Sequence, residues 1–429
     1  MQKTLFLFGL FCLINIGQVF GQTRLITTPN ISQKAIVGQT IGLTDISLTY
    51  HRPAVKGREL MGKIIPYRTP WRAGANDNTV ITFSDKVKIE GQELAAGTYG
   101  LHLLATENDW TVIFSNNSTS WGSYSYDEKE DALRVTVKAG KSDAFQEFLA
   151  FEFSDITPNS ALCALVWGNI QVGFTIESNV EEATVAQIRN ELRDRAGWSW
   201  DGYNEAAAYC LNNNINLEEA MTWATRSVFM NPNGANMMTK AKLTAKIQQP
   251  DDEKAQTKIA LTTLESDLTT QTITWKEYAT AANYAMSVEA WEEAEKWIDE
   301  SIKRSSNMTN MMAKVKIFET KGDNEKAEKL RKEAIERGTD QELNLYGYQL
   351  MWAGKTQEAV AIFEANTEKN GANPNTWDSL GEGYMNNGQK EDAIRALKKC
   401  LSLNPPPAIK ANTMQLLSKL EAKTEDLKP

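Results

Sequence analysis

The sequence predicts a chain of two parts, an antiparallel β-sandwich or jelly roll over residues 30–178 followed by an all-α solenoid of helical hairpins over residues 201–407. Three observations carry that reading. Between about residues 34 and 177, short runs alternate apolar and polar positions and are separated by turn residues, the pattern of strands with one buried face. Beyond residue 200 the apolar period lengthens to that of helices, and a small alanine returns about every 34 residues. A length of 429 residues suits one domain plus an array, and 41 % hydrophobic content supports real cores.

The N-terminus reads as an export signal. Lys3 is the only charged side chain in the first 23 residues, and Leu5 to Ile16 form an apolar run too short to span a bilayer comfortably. Gln18 and Gly21 follow, so residues 1–21 are expected to be a signal peptide cleaved after Gly21, with a retained anchor as the alternative. Cys12 follows Phe11, where a lipoprotein signal needs a small residue, so no lipid anchor is expected. No later stretch is long and apolar enough for a membrane helix, and the expected address is the periplasm. Cleavage leaves Cys163, Cys210 and Cys400, an odd set without a CxxC, read as small buried hydrophobes rather than a disulfide framework.

The strands are placed by their alternation. Thr79 to Phe83, Lys86 to Gln92, Gly97 to Leu104, Trp110 to Phe114, Leu133 to Val137, Phe148 to Phe153, Ala161 to Trp167 and Gln171 to Ile176 each fit the pattern. Val180, Val185, Ile188 and Leu192 then mark a connecting helix within residues 179–200.

One segment of the β half departs from its surroundings. Between Tyr50 and Arg72 there are six Lys or Arg against one acid, Glu59, although residues 22–177 hold 14 basic and 17 acidic residues. Glycines and prolines punctuate this stretch, and a connection of such length is more often functional than a bare turn. Tyr50, His51, Arg52, Lys56, Arg58, Trp71, Arg72 and Asn76 are the candidate ligand-binding residues. Arginine forks beside aromatic faces suit carboxylates, phosphates or sugars. The competing reading has these cations brace the loop by pairing with carboxylates such as Asp77 and Glu59.

The same residues carry a resemblance. Tyr50-His51-Arg52-Pro53-Ala54-Val55-Lys56-Gly57-Arg58 resembles the opening of a family of secreted bacterial proteins catalogued as a domain of unknown function. Pro70 to Asn76, Ala96 to Tyr99, Trp110 to Phe114, Trp121-Gly122 and Asp131 to Val135 match its pattern as well, over about residues 30–177. The resemblance implies an exported β-domain from a cell with two membranes, in the Bacteroidetes style, sometimes fused to helical repeats. It brings no activity and no catalytic residue.

The helical half is read from Trp377-Asp378-Ser379-Leu380-Gly381-Glu382-Gly383-Tyr384, followed by Ala393, Leu397 and Pro405 at fixed offsets. That is the W-x2-L-G-x2-Y…A…P signature of a tetratricopeptide repeat. Ala220, Ala255, Ala294, Ala327, Ala359 and Ala393 mark six such repeats, separated by 35, 39, 33, 32 and 34 residues. Small residues there allow close helix crossings, and apolar residues one turn later pack on the same face. Residues 408–425 suit a capping helix.

Composition and motifs narrow the function. A net charge of −9 argues against nucleic-acid binding. The two histidines, His51 and His102, lack any metal-ligand spacing, and no G-x-S-x-G or phosphate loop is present. The mixed charges of Asp127 to Asp131 read as a solvated loop. No cofactor, metal or catalytic set is therefore expected. The sequence favours an exported binding scaffold, with a protein partner in the concave groove of the repeats and an anionic or carbohydrate ligand on the β half. The alternatives are a cell-envelope or glycan hydrolase centred on the His51/Arg72 loop, and a purely structural cap for the array.

Overall fold

The computed structural model describes residues 29–425 apart from Asn108, with side chains through Glu421; the expected signal peptide lies outside the described residues. The chain divides between Gln187 and Ile188 into two compact units. Among the described residues no helix is long and apolar enough to cross a membrane.

Among the described residues, the first unit is an antiparallel sheet of nine strands. These are β1 (Gln33–Ile41), β2 (Thr44–Arg52), β3 (Thr79–Phe83), β4 (Val87–Ile89), β5 (Gln92–Leu94), β6 (Gly97–Ala105), β7 (Asp109–Ser115), β8 (Asp131–Ser154) and β9 (Ser160–Ser178). They are ordered β1-β2-β3-β6-β7-β8-β9-β4-β5. The alternation is that of half-buried strands: in β2, Ile46, Leu48 and Tyr50 are buried while Asp45 and Ser47 are exposed.

β8 organises the sheet. Residues 131–138 pair with β7, whereas residues 139–154 pair with β9 through register shifts between Lys141, Gln146 and Ala150. Such irregularities bend a strand and sharpen its twist. Beyond the end of β2, Leu149 N–H donates to the Pro53 carbonyl (3.0 Å) and Val55 N–H to the Glu147 carbonyl (2.8 Å). β2 and β8 are separated in the strand order by β3, β6 and β7, so these bonds require the sheet to curl over itself. Leu48, Ile81, Leu101, Phe114, Leu165, Trp167 and Phe174 meet in the single core thus enclosed, each contributing about 1.5–3 kcal/mol of burial.

α1 (Val180–Glu191) crosses the division between the units. Six helical hairpins follow among the described residues: α2 (Trp200–Asn213) with α3 (Leu217–Met230), α4 (Gly234–Gln248) with α5 (Glu253–Thr270), α6 (Trp275–Ser287) with α7 (Trp291–Arg304), α8 (Met308–Thr320) with α9 (Asn324–Arg337), α10 (Asp340–Trp352) with α11 (Thr356–Asn370), and α12 (Pro374–Asn386) with α13 (Lys390–Ser402). α14 (Pro407–Glu425) packs Leu416, Leu417 and Leu420 with Ala393 and Leu397. The buried Asp378 accepts from Asn412 Nδ2 (2.9 Å) and Thr413 Oγ1 (2.5 Å), which fastens α14 to α12. Cys163, Cys210 and Cys400 are free and buried.

Ala220, Ala294, Ala327, Ala359 and Ala393 are buried in the second helix of their hairpins. Ala255 is not their equivalent: it is half-buried, and Ala260 is the buried alanine of α5. α5 carries extra residues at its start, so a count made by spacing alone stops one turn early. The seventh residue beyond each crossing alanine confirms the corrected register. With Ala260 the series is Ser227, Asp267, Ser301, Ala334, Asn366 and Cys400, all buried.

Several members of that series tie their helix back to its partner. Ser227 Oγ donates to the Trp200 carbonyl (2.7 Å), Ser301 Oγ to that of Trp275 (2.8 Å), and Asn366 Nδ2 to that of Asp340 (2.9 Å). Asn236 Nδ2 and Asn310 Nδ2 then donate to the two serines from the next hairpin (3.0 and 3.2 Å). These groups are polar because each satisfies a neighbour inside the array.

Replacing Ala260 or Ala393 by Leu is expected to cost roughly 1–3 kcal/mol through overpacking, whereas Ala255→Leu should stay within about 0.5 kcal/mol of the parent. Thermal unfolding of the helical unit, followed by circular dichroism, checks the register directly. A drop confined to Ala255→Leu would restore the original count.

Candidate functional site

The connection between β2 and β3, residues 53–78, builds a deep concavity of the β-domain. Its return limb is fixed on β6: Trp71 exchanges two backbone hydrogen bonds with Leu103, both 2.8 Å, and Arg68 N–H donates to the Ala105 carbonyl (2.8 Å). Trp71 also stacks on the buried Trp167, with ring centroids 6.0 Å apart and planes 9° from parallel. Lys56, Arg68, Ala73 and Asn76 all hold positive φ angles between 49° and 59°. Four non-glycine residues in that region within one loop store strain, which persists only where surrounding contacts over-determine the backbone.

A pocket of about 890 Å³ opens between the limbs of this loop, with Ser123, Tyr124 and Phe148 completing its wall. Four of the eight candidate residues, Lys56, Arg58, Trp71 and Arg72, line it. The others stand behind it. The Tyr50 hydroxyl accepts from Phe151 N–H (3.1 Å) and its ring packs edge-on against Phe151. Arg52 Nε donates to the Leu149 carbonyl (2.8 Å), and Asn76 Nδ2 to that of Ser32 (3.2 Å). His51 is only 5 % exposed, and its Nδ1 is buried without a partner.

Carboxylates do not neutralise the pocket. The ion pairs of the β-domain, among the described residues, belong to Lys86 and Arg134. Asp77 and Glu59 therefore do not brace these cations as salt-bridge partners. Arg58 instead donates to its own loop, to the carbonyls of Ala54 (2.5 Å) and Val55 (3.0 Å). Glu147 accepts from the backbone N–H of Lys56 (2.9 Å), leaving the ammonium group outside any ion pair. Arg72 lies with its guanidinium carbon 5.5 Å from the centre of the Trp121 ring, and its Nε is buried with no partner. Gly122 makes room for it: a Cβ at that position would stand 2.5 Å from Arg72 Nη1, and its φ of +75° suits glycine.

Sequence reasoning missed the opposite wall. Trp121 and Tyr124 lie in Ser118 to Tyr126, a run made only of hydroxyl, aromatic and glycine residues, and that composition was the available signal. Behind it, His102 Nδ1 and Ser123 Oγ are 2.9 Å apart, and the imidazole packs edge-on to Tyr126 at 5.3 Å. Burial lowers the His102 pKa from the ordinary 6.5 to about 4, so the ring is neutral at pH 7. Burial also lowers that of His51 against the opposing influence of Asp77. Among the described residues no three His, Cys, Asp or Glu side chains are placed to hold a metal ion.

The repeat array has a smaller cleft of about 400 Å³ between α10 and α12, lined by Asn344, Leu345, Tyr348, Trp352 and Asn375 among others. Leu345 and Trp352 are exposed there, and Tyr348 Oη donates to Glu382 (2.8 Å).

Residues 32–176 match the family described as protein of unknown function DUF2911, and residues 374–407 match the tetratricopeptide repeat. No curated protein matches the chain. Among solved structures it is similar to a chain of the APC/C hetero-tetramer Cut9–Hcn1, at 15 % identity over 56 % of this chain and 46 % of that one, with a TM-score of 0.26. YrrB, described as a tetratricopeptide repeat protein with an unusual peptide-binding site, is 14 % identical over 54 % of this chain and 97 % of its own, with a TM-score of 0.22. A tetratricopeptide repeat protein from Parabacteroides merdae ATCC 43184 is 15 % identical over 56 % and 91 %, with a TM-score of 0.27. The chain thus carries an N-terminal DUF2911 domain and continues into a tetratricopeptide-repeat region.

The buried histidines set an acid limit. The folded protein binds the His102 proton more weakly than the unfolded chain does. Its stabilisation is therefore complete above about pH 6.5 and is lost as pH falls toward 4, by about 3 kcal/mol in all. His51 acts in the same direction. Urea unfolding of the protein and of His102→Gln between pH 7 and pH 5 should show a distinctly flatter pH dependence for the variant. Parallel curves would place the titration elsewhere.

Proposed function

We propose that this protein is an exported interaction scaffold, in which the repeats hold a protein partner and the β-domain binds an anionic ligand in the pocket of Lys56, Arg58 and Arg72. The single observation behind the ligand is that three cations line one concavity without a carboxylate in ion-pair contact. Same-sign charges on low-dielectric walls concentrate counter-ions at the mouth. Arg72 is the anchor: a buried N–H without an acceptor carries a desolvation cost that an anionic oxygen relieves, and a guanidinium fork fits a carboxylate or phosphate. For the partner, the α10–α12 cleft offers the exposed Leu345 and Trp352 beside the amide side chains of Asn344 and Asn375. Export rests on residues 1–21.

A second reading is favoured by the Ser123–His102 pair. Ser123 Oγ would add to an acyl carbon while its proton passes to His102 Nδ1 and on to the leaving oxygen, and water would release the acid. The neutral ring is free to accept that proton, although its low basicity limits the rate. Loss of p-nitrophenyl acetate hydrolysis in Ser123→Ala, with binding of acetate retained, would favour this reading over binding alone.

Arg72→Gln tests the main proposal. The guanidinium makes no ion pair, so its removal strands no carboxylate; the variant should melt within a degree or two of the parent. It should lose the chemical-shift response to acetate and inorganic phosphate, a contribution of about 1.5–3 kcal/mol. A variant that melts much lower, or that binds both anions unchanged, would overturn the pocket's assignment.

A further inference from the structure

We infer that the natural ligand of this pocket is an acidic saccharide, with its sugar ring laid on the Trp121–Tyr124 pair and its carboxylate held by Arg72. The inference rests on the anion-binding reading above and names its ligand class. Trp121 and Tyr124 are 56 % and 83 % exposed, yet their rings lie 5.8 Å apart and within 9° of parallel. Large aromatic side chains left in water are unburied apolar surface, and the stacking of these two leaves the outer face of Tyr124, the more exposed ring, as an open platform. Tyr124 lines the pocket and Trp121 stacks beside it.

A pyranose matches that surface. One of its faces is mostly C–H and packs against an exposed ring, while its rim of hydroxyls seeks donors and acceptors. Residues that carry such groups, Lys56, Arg58 and Ser123, are part of the pocket lining. Ser123 Oγ already shares one hydrogen bond with His102 and keeps acceptor capacity for a sugar hydroxyl.

The charge then selects among saccharides. A carboxylate borne on a sugar ring lies at the edge of that ring. Arg72 packs over the Trp121 ring, 5.5 Å from its centre, and lines the same pocket as Tyr124, which puts the guanidinium and the aromatic stack at one site. Gly122, between the aromatics and against Nη1 of Arg72, holds platform and guanidinium in one unit, since any side chain there would push the arginine away. The volume of about 890 Å³ is far larger than an inorganic anion needs and suits one or two sugar units.

Calorimetric titration of the mature full-length protein decides the matter, with trigalacturonate and a hyaluronan tetrasaccharide as acidic probes, cellotriose as the neutral control, and acetate and inorganic phosphate as simple anions. At least one acidic oligosaccharide should bind tenfold or more tighter than cellotriose and than either simple anion. Trp121→Ala and Tyr124→Ala should each weaken it about tenfold; Arg72→Gln should abolish both its binding and that of phosphate. Acidic oligosaccharides that bind no tighter than acetate, or aromatic variants that bind them unchanged, overturn the saccharide inference and leave the anion site standing. Cellotriose binding equal to that of the acidic probes removes the role given to the carboxylate. If no probe binds at all, the anion reading and this inference fall together.

Discussion

The β-domain depends on one strand that serves two ladders. β8 gives its first part to β7 and the remainder to β9, and the register shifts within it turn the sheet back on itself. The bonds from Leu149 to Pro53 and from Val55 to Glu147 then seat the start of the 53–78 connection against β8. The other limb is seated on β6 through Trp71 and Leu103, and Trp167 of β9 supports it from below. Both limbs of the pocket are therefore attached to the rigid sheet, so that a loop with four strained residues holds one shape.

The array is built on the opposite plan. Each hairpin is closed by contacts between consecutive helices, and the polar ties run from a helix to its own partner or to the next hairpin. Stability in such an arrangement is a sum of local terms. The β core joins residues more than a hundred positions apart, as in the hydrogen bond from Phe151 to Tyr50, and non-local pairings of that kind form slowly. One chain thus combines a cooperative unit built on long-range pairs with a modular unit that offers length.

The parts of this structure governed by local periodicity were largely legible in the sequence. Alternation marked the strands from Thr79 onward, though it placed none over β1 and β2 and split β8 and β9 into two runs each, and the Trp377 to Tyr384 signature marked the helical hairpin of α12 and α13. The extra residues of α5 displaced the repeat count to Ala255, because spacing carries no information about which alanine faces the neighbouring helix. The cationic loop was visible from charge alone, but its partners were not. Arg52 and Arg58 meet backbone carbonyls rather than the nearby acids, and any residue supplies a carbonyl. Tyr50 and His51 ended inside because β2 is covered on both faces at that point, and the opposite wall at Ser123 and Tyr124 arrives from a turn some fifty positions later. Adjacency created by folding leaves no local trace.

The buried thiols give the fold a further property. Burial raises the pKa of Cys163, Cys210 and Cys400, which keeps each protonated and unreactive while the units stay closed. The closed units thus keep their cysteines unpaired without any reducing partner. Opening has a different outcome, because each exposed thiol becomes available for oxidation or for a bond to another chain. The return path closes once that bond forms. The closed state thus acts as its own antioxidant, and a molecule that unfolds away from reducing conditions is withdrawn from the working population instead of refolding into it.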